Sequence, residues 1–240
     1  MNKKQRIDKI LANLGYGTRK EVKEIIKSGA VEVEGVIITD TGFQVETETQ
    51  IIKVNGKELL YRQYIYIMMN KPQGVISATE DNREDTVVEL LKDDYRAFNP
   101  APVGRLDKDT EGLLLLSNDG QLAHRLLSPK KHVPKTYFAN IEGSVGEKDI
   151  EAFHQGVILE DGYKTLPAKL KVLVPGEISQ VEIIIYEGKY HQIKRMFEAV
   201  EKKVVYLKRI AMGDLKLDES LQLGEYRELF AEELELLTQH

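Results

Sequence analysis

The stretch 102-PVGRLDKDTEGLLLLSNDG-120 constrains the chain more than any other part of it. The four leucines Leu113 to Leu116 leave no polar position for either face, so they require a strand buried on both sides, inside a covered sheet. Asn118-Asp119-Gly120 ends that strand, and Asp119 is placed to cap a following helix carrying Leu122 and Leu126. Ahead of the leucines stand Asp107 and Asp109. A carboxylate held at the mouth of such a strand is partly shielded from water and needs a cationic partner to keep its charge. Lys194 and Arg195, in EGKYHQIKRMF, have no obvious local partner; there a strand (VEIIIY) ends at Gly188 and a helix starts near His191. Asp109 reads as a helper of a Thr110-Glu111-Gly112 turn.

The N-terminal part reads as a separate small unit. Ile7, Ile10, Leu11 and Leu14 fall at helical spacing, Gly15-Tyr16-Gly17 breaks the helix, and Thr18-Arg19-Lys20-Glu21 is a capping box opening a second one. That helix buries Val22, Ile25 and Ile26, while Arg19, Lys23 and Lys27, spaced by four, line one stripe with Lys20 beside them. Gly29 closes it, V-E-V-E at 31 to 34 begins a strand, and Asn55-Gly56 marks a hairpin. The unit ends near residue 60, and YRQY (61 to 64) reads as a linker. The remainder, 65 to 240, predicts strands at YIYIMM, LLLL, TYFANIEG, AKLKVLV, QVEIIIY and VVYLKRIAM, with helices at TVVELL, QLAHRLL, 147 to 155 and HQIKRMFEAV. Long helices do not alternate with strands, so the fold class is α+β with a mixed, mainly antiparallel sheet and flanking helices.

Charge distribution narrows the partners. The formal net charge is -5, yet residues 1 to 30 hold eight basic side chains against three acidic ones. Residues 124 to 137 carry Arg125, Lys130, Lys131 and Lys135 with no acid, and residues 189 to 209 carry seven bases against Glu198 and Glu201. Eight acids against two bases in the last thirty residues account for much of the negative sum. Three basic islands on an acidic chain imply a directed surface for a polyanion. The chain has no cysteine, and its five histidines, at 124, 132, 154, 191 and 240, include no close HxxxH pair, so a metal site is not expected. No apolar run approaches the roughly 20 residues that cross a bilayer, and the charged start MNKKQRIDKI lacks a leader's apolar stretch; a cytoplasmic protein with no membrane contact is expected.

Two resemblances sharpen this reading. RIDKILANLGYGTRKEVKEIIKSGAVEVEG followed by KVNGK resembles an S4 domain, an RNA-binding module; helix-turn-helix DNA binding is the rival, but a short sheet follows the helix pair at once. NKPQGV, GRLDKDTEGLLLLSNDG, KTYFANIEG and EGKYHQIKRMF, in that order, resemble the motif set of the RsuA-type pseudouridine synthases, which isomerise uridine in ribosomal RNA. The resemblance implies that Asp107 is the catalytic carboxylate, that Tyr137 stacks on the target base and that Lys194 is the cationic partner. It implies that Asn70, Lys71 and Arg105 shape the site and hold backbone. Together with Lys135, His191, Arg195 and the stripe Arg19, Lys20, Lys23 and Lys27, those three are also expected to contact RNA. The reaction breaks the C1'–N1 bond and rejoins the base through C5 with no redox change, so no cofactor is expected, and the chain has neither a P-loop nor a GxGxxG after a strand. The histidine in KYHQIKRM resembles the small-subunit (16S) enzymes more than the large-subunit (23S) ones, whose motif runs N-R-Q-[IV]-R-R. The expected substrate is therefore ribosomal RNA in a small-subunit assembly intermediate, acted on by a monomer. Three other readings are a large-subunit (23S) pseudouridine synthase, a non-catalytic rRNA-binding assembly factor and a hydrolase using Asp107 with Asp109.

Overall fold

The computed structural model describes residues 4–47, 49–59 and 63–238. Lys3 of the first basic island, Tyr61 and Arg62 of the linker, and His240 lie outside these residues. The chain forms two compact units, one of residues up to Ile65 together with Lys92–Asn99, the other of Tyr66–Leu91 and Pro100 onward. A division at residues 60 to 65 alone assigns Lys92–Asn99 to the second unit.

In the first unit the helices are Ile7–Asn13 and Arg19–Lys27. The second starts in the expected capping box: the Thr18 backbone N–H donates to Glu21 Oε2 at 2.7 Å, and Thr18 Oγ1 accepts from the Glu21 N–H at 3.4 Å. Such reciprocal caps satisfy donors that a helix start leaves open. Val22 and Ile26 are buried and Ile25 half-buried against Ile7, Ile10, Leu11, Val31, Val45, Ile52 and Val54. Arg19, Lys20, Lys23 and Lys27 all stay exposed. A four-stranded sheet follows in the order Val36–Ile37, Val31–Val33, Ile52–Val54, Lys57–Leu59. Asn55 and Gly56, both with positive φ, join the last two. A charged pair of strands, Lys4–Arg6 with Gln44–Glu46, carries no alternating pattern that would reveal it in the sequence.

The second unit is built on a nine-stranded sheet. Its path runs Lys169–Val174, Ile178–Ile185, Lys135–Glu142, Lys203–Met212, Glu111–Ser117, Tyr66–Lys71, Tyr226–Glu228, with Leu215–Lys216 and Ala101–Val103 paired at its sides. The named strands pair antiparallel except Lys203–Met212 with Glu111–Ser117, which run parallel, so the sheet is mixed and mainly antiparallel as expected. All seven residues of Glu111–Ser117 are buried. Leu113 and Leu115 pack with Val103, Leu122, Leu126 and Met212, while Leu114 and Leu116 are equally buried on the other face. Asp119 caps the helix Gly120–Leu127, its Oδ1 accepting from the N–H groups of Gln121 and Leu122 at 3.0 and 3.1 Å.

Two local expectations fail. TVVELL forms no helix: Thr86 and Glu89 make a reciprocal cap, but Thr86 bridges to Ile76 and the chain goes no further than a turn. Tertiary pairing overrides a weak local preference there, and a short helix forms instead at Asp93–Arg96. Thr110-Glu111-Gly112 is not a turn either, because the strand already begins at Glu111 and the turn lies one step earlier, closed by Thr110 N–H to Asp107 O at 3.0 Å.

Gly112, at φ +101°, pairs with Arg209 in the parallel register. A Cβ there would lie 2.2 Å from the Arg209 carbonyl oxygen, which is backbone and cannot rotate aside. Gly112→Ala is therefore expected to cost about 3 kcal/mol or more, whereas Gly74→Ala, at φ +90° but facing open space, should cost about 1 kcal/mol. Urea unfolding of both variants checks this, and equal losses would mean the two strands are not in close contact.

Candidate active site

The loop from Gly104 to Thr110 carries the acidic pair, and the protein grips it from the inside. Lys71, the last residue of Tyr66–Lys71, is fully buried. Its ammonium donates to the carbonyl oxygens of Pro72, Asp107 and Thr110, each at 3.0 Å. Ser77 holds the loop one residue earlier, its Oγ donating to Leu106 O at 2.9 Å and accepting from Leu106 N–H at 3.0 Å. Gly74 N–H donates to Lys108 O at 2.8 Å, and the Lys108 side chain is ion-paired with Glu84. With its backbone so occupied, the loop presents the Asp107 and Asp109 carboxylates outward.

A cation meets them there. Lys194, on the helix Gln192–Glu198, lies 3.2 Å from Asp107 Oδ2 and 2.6 Å from Asp109 Oδ1. Burial acts to lower the Lys194 pKa, but the two carboxylates outweigh it and the net shift is upward. For Asp109, burial acts to raise the pKa, and the bond from Lys194 outweighs it, so the carboxyl is held below its ordinary range. Asp109 is thus half of an ion pair and not only a turn residue. Its role was hidden in the sequence because its partner stands 85 positions away. His191 Nε2 is 3.8 Å from the other oxygen of Asp107.

Behind this group opens a cleft of about 980 Å³. Its wall includes Asp107, Tyr137, Lys194, His191, Arg105 and Lys135, so one cavity gathers residues from three of the four motifs. Tyr137 and Lys135 point to the same buried face of Lys135–Glu142, and Arg209 stands opposite Tyr137 on the neighbouring strand. Lys135 is buried, donates to Val133 O at 3.1 Å, and has its pKa lowered to about 8 by burial and by the charge of Arg209. Arg209 is almost fully buried in the same wall; its Nε donates to Leu113 O at 2.7 Å, and its Nη2 has no partner among the described residues. Sequence reasoning counted Arg209 only as part of a basic island. The alternation of Leu207, Arg209 and Ala211 on the inward face was the signal that could have found it.

Three expected RNA contacts take other positions. Lys71 and Asn70 are buried and bound to backbone, Asn70 Nδ2 donating to Leu221 O at 2.8 Å, so both hold structure and neither faces solvent. Arg195 points away from the acidic pair, its Nε 2.7 Å from Glu160 Oε1 and its Nη2 2.5 Å from Asp161 Oδ2. Arg105 is exposed at the cleft.

A family model described as RNA pseudouridylate synthase matches residues 65–199, and the S4 domain model matches residues 5–51. The chain belongs to the RNA pseudouridylate synthases. It is 55% identical to the RNA pseudouridine synthase YtzG of Bacillus subtilis over 98% of each chain. It is 41% identical to the ribosomal small subunit pseudouridine synthase A of Vibrio cholerae, over 95% of this chain and 97% of that one. To the ribosomal large subunit pseudouridine synthase B of Bacillus subtilis it is 39% identical, over 97% and 95%. A crystal structure of a pseudouridylate synthase superimposes with a TM-score of 0.68 at 38% identity, covering 97% of this chain and 99% of the other. For a synthase that must accept RNA, the cations of the cleft wall outnumber what its two carboxylates need.

Lys135 gives this pocket a pH dependence. Its folded pKa of about 8 lies below the ordinary lysine value of 10.5, so its charge opposes folding fully below about pH 8, and the cost fades as pH rises toward 10.5. The charge that would attract RNA is present below about 8 and lost above it. RNA affinity at fixed salt is expected to fall between pH 7 and 9 in the native protein, and to fall less in Lys135→Met. Parallel pH profiles for the two would show that Lys135 does not face the bound RNA.

Proposed function

We propose that this synthase converts one uridine of ribosomal RNA to pseudouridine, with Asp107 as the catalytic carboxylate, Lys194 as its cationic partner and Tyr137 stacking on the target base. The observation that carries the reading is the 3.2 Å contact of Lys194 with Asp107 at the edge of a cleft walled by Tyr137. A base must leave its stack to reach a carboxylate so placed, and an aromatic side chain inside the cleft can receive its face. The C1'–N1 bond breaks, the base turns, C1' joins C5, the proton on C5 leaves and N1 gains one, so the product is an isomer of the substrate. None of these steps needs a cofactor.

Ribosomal RNA as substrate is supported by the names of the relatives in Vibrio cholerae and Bacillus subtilis, which divide between the two subunits. The small subunit is favoured by His191 in the KYHQIKRM motif, RNA binding is supported by the S4 module at residues 5–51, and we take the RNA to be in a small-subunit assembly intermediate. We take the chain to act as a cytoplasmic monomer, its RNA-binding domain at residues 1 to 60, a linker at 61 to 64 and the catalytic domain from 65 to 240. No helix among the described residues is long and apolar enough to cross a membrane. Arg19, Lys20, Lys23 and Lys27 hold phosphates in this scheme, and Arg105, Lys135 and His191 line the way to the carboxylate.

Asp107→Asn removes a charge and a nucleophile with almost no change of volume. It is expected to reduce isomerisation by about a thousandfold or more while RNA affinity stays near normal. Tritium release from C5-labelled uridine measures it; turnover close to native would end the assignment, and an equal loss in Asp109→Asn would move it to the carboxylate pair. Lys194→Met leaves both carboxylates without their shared cation and is expected to slow turnover by about 100-fold; native rates would end the partner assignment.

The phosphate stripe is tested separately. Changing Arg19, Lys23 and Lys27 together to Gln is expected to flatten the slope of log K against log salt by about 2 units, since each phosphate contact accounts for roughly 0.7 to 0.9. Single-turnover rates at saturating enzyme should recover. An unchanged slope would reduce the stripe to a solvated helix face.

A further inference from the structure

Tyr190 is the most exposed tyrosine ring of the cleft, 71% accessible, in a chain that buries most of its large apolar side chains. It does not hang loose. Its ring stacks on that of His191, with centroids 3.8 Å apart and planes 18° from parallel. The segment that carries both is cross-braced on every side. Gln192 Oε1 accepts from Lys189 N–H at 2.9 Å, and Gln192 Nε2 donates to Glu187 Oε1 at 2.8 Å. Glu187 in turn accepts from Tyr163 Oη at 2.6 Å and from Leu166 N–H at 2.9 Å. Lys189 lies over the Tyr163 ring at 4.7 Å, and Arg195, itself fixed by Glu160 and Asp161, reaches the Tyr190 carbonyl at 3.4 Å. His191 sits in the left-handed region at φ 47°, a strained conformation for a residue with a side chain.

Packing does not account for this arrangement. Folding gains little from an aromatic ring left in water, yet the protein braces the segment that carries it and stacks one face on His191, leaving the residue largely exposed beside the carboxylate that His191 approaches to 3.8 Å. That exposure matters once a base is drawn into the cleft. A flipped nucleotide leaves its neighbour without a stacking partner on one side, and an aromatic face just outside the cleft can replace it. Tyr137 is buried inside the cleft and only 7% exposed, so it suits the base that enters; Tyr190, at the rim, suits a base that stays outside.

We propose that Tyr190, backed by His191, is a stacking platform for the base of a nucleotide adjacent to the target uridine. The inference rests on the reading of Asp107 and its cleft given above. Because every base has a π-face, the platform steadies the RNA next to the reaction without strongly selecting its sequence. Tyr190 is a positioning residue: it acts on the flanking nucleotide and not on the reacting atoms.

The chain contains no tryptophan, so Tyr190→Trp places a single indole reporter on the platform. A synthetic RNA hairpin carrying the modified uridine and its flanks is expected to quench its emission on binding. An abasic residue at one neighbour of the target should abolish the quench, while an abasic residue at the target itself should leave it. No quench, or a quench lost only when the target base is missing, would overturn the proposal. In steady-state kinetics Tyr190→Ala should raise KM about 10-fold, in the range of losing one base stack, with kcat little changed, and Tyr190→Phe should restore the native KM. An unaltered KM in Tyr190→Ala, or a Phe variant as weak as the Ala one, would overturn it as well. Tritium release by the native protein on the same hairpin reads the isomerase assignment separately, so its failure with quenching intact would count against that assignment and not against the platform.

Discussion

The ammonium of Lys71 is the interaction on which the rest of the site depends. Taking a lysine charge wholly out of water costs several kcal/mol unless its donors are satisfied, and burial pushes its pKa down to about 8. Three carbonyl oxygens at 3.0 Å use all three donors, and two of those carbonyls belong to the loop that carries Asp107 and Asp109. The charge is tolerated because it organises a turn whose own backbone groups would otherwise be unpaired inside the protein. The strand below, buried from Glu111 to Ser117, gives the turn a floor that does not move.

From that fixed point the polarity of the site follows. Backbone oxygens are drawn inward to Lys71, so the carboxylates of Asp107 and Asp109 face out, where one Lys194 serves both. Two acids and one base would repel an RNA backbone if they stood alone. Arg105, Lys135 and Arg209 in the same cleft wall reverse the local balance, and this is how a chain of net charge -5 can present a surface for a polyanion. Two of the acidic C-terminal residues are used internally: Arg227 is held by Asp218 at 2.6 Å and by Glu233 at 2.7 Å, which ties the last helix down.

Much of this was legible because local chemistry and tertiary demand agree. Leu113 to Leu116 could only be a strand covered on both faces, Asp119 could only begin a helix, and Thr18 with Glu21 announced the helix that carries the basic stripe. The residues alone offered both Lys194 and Arg195 as cations without a local partner, and the resemblance to the synthase family singled out Lys194 for Asp107. What escaped depends on contacts distant in sequence. Asp109 reads as a turn residue until Lys194 is brought to it. Arg209 looks like a surface cation by residue type, and only strand register shows that it is buried and faces the cleft. TVVELL has the pattern of a helix, but Thr86 is claimed by Ile76.

The claim that binds these features together is that the cleft isomerises one uridine of the small ribosomal subunit. Its most direct test is a map of pseudouridine across the ribosomal RNA of cells that have this protein and of cells that lack it. The expected result is the loss of pseudouridine at a single 16S position, with every other position unchanged. Identical maps would contradict the account, and loss at a 23S position alone would contradict the assignment drawn from His191.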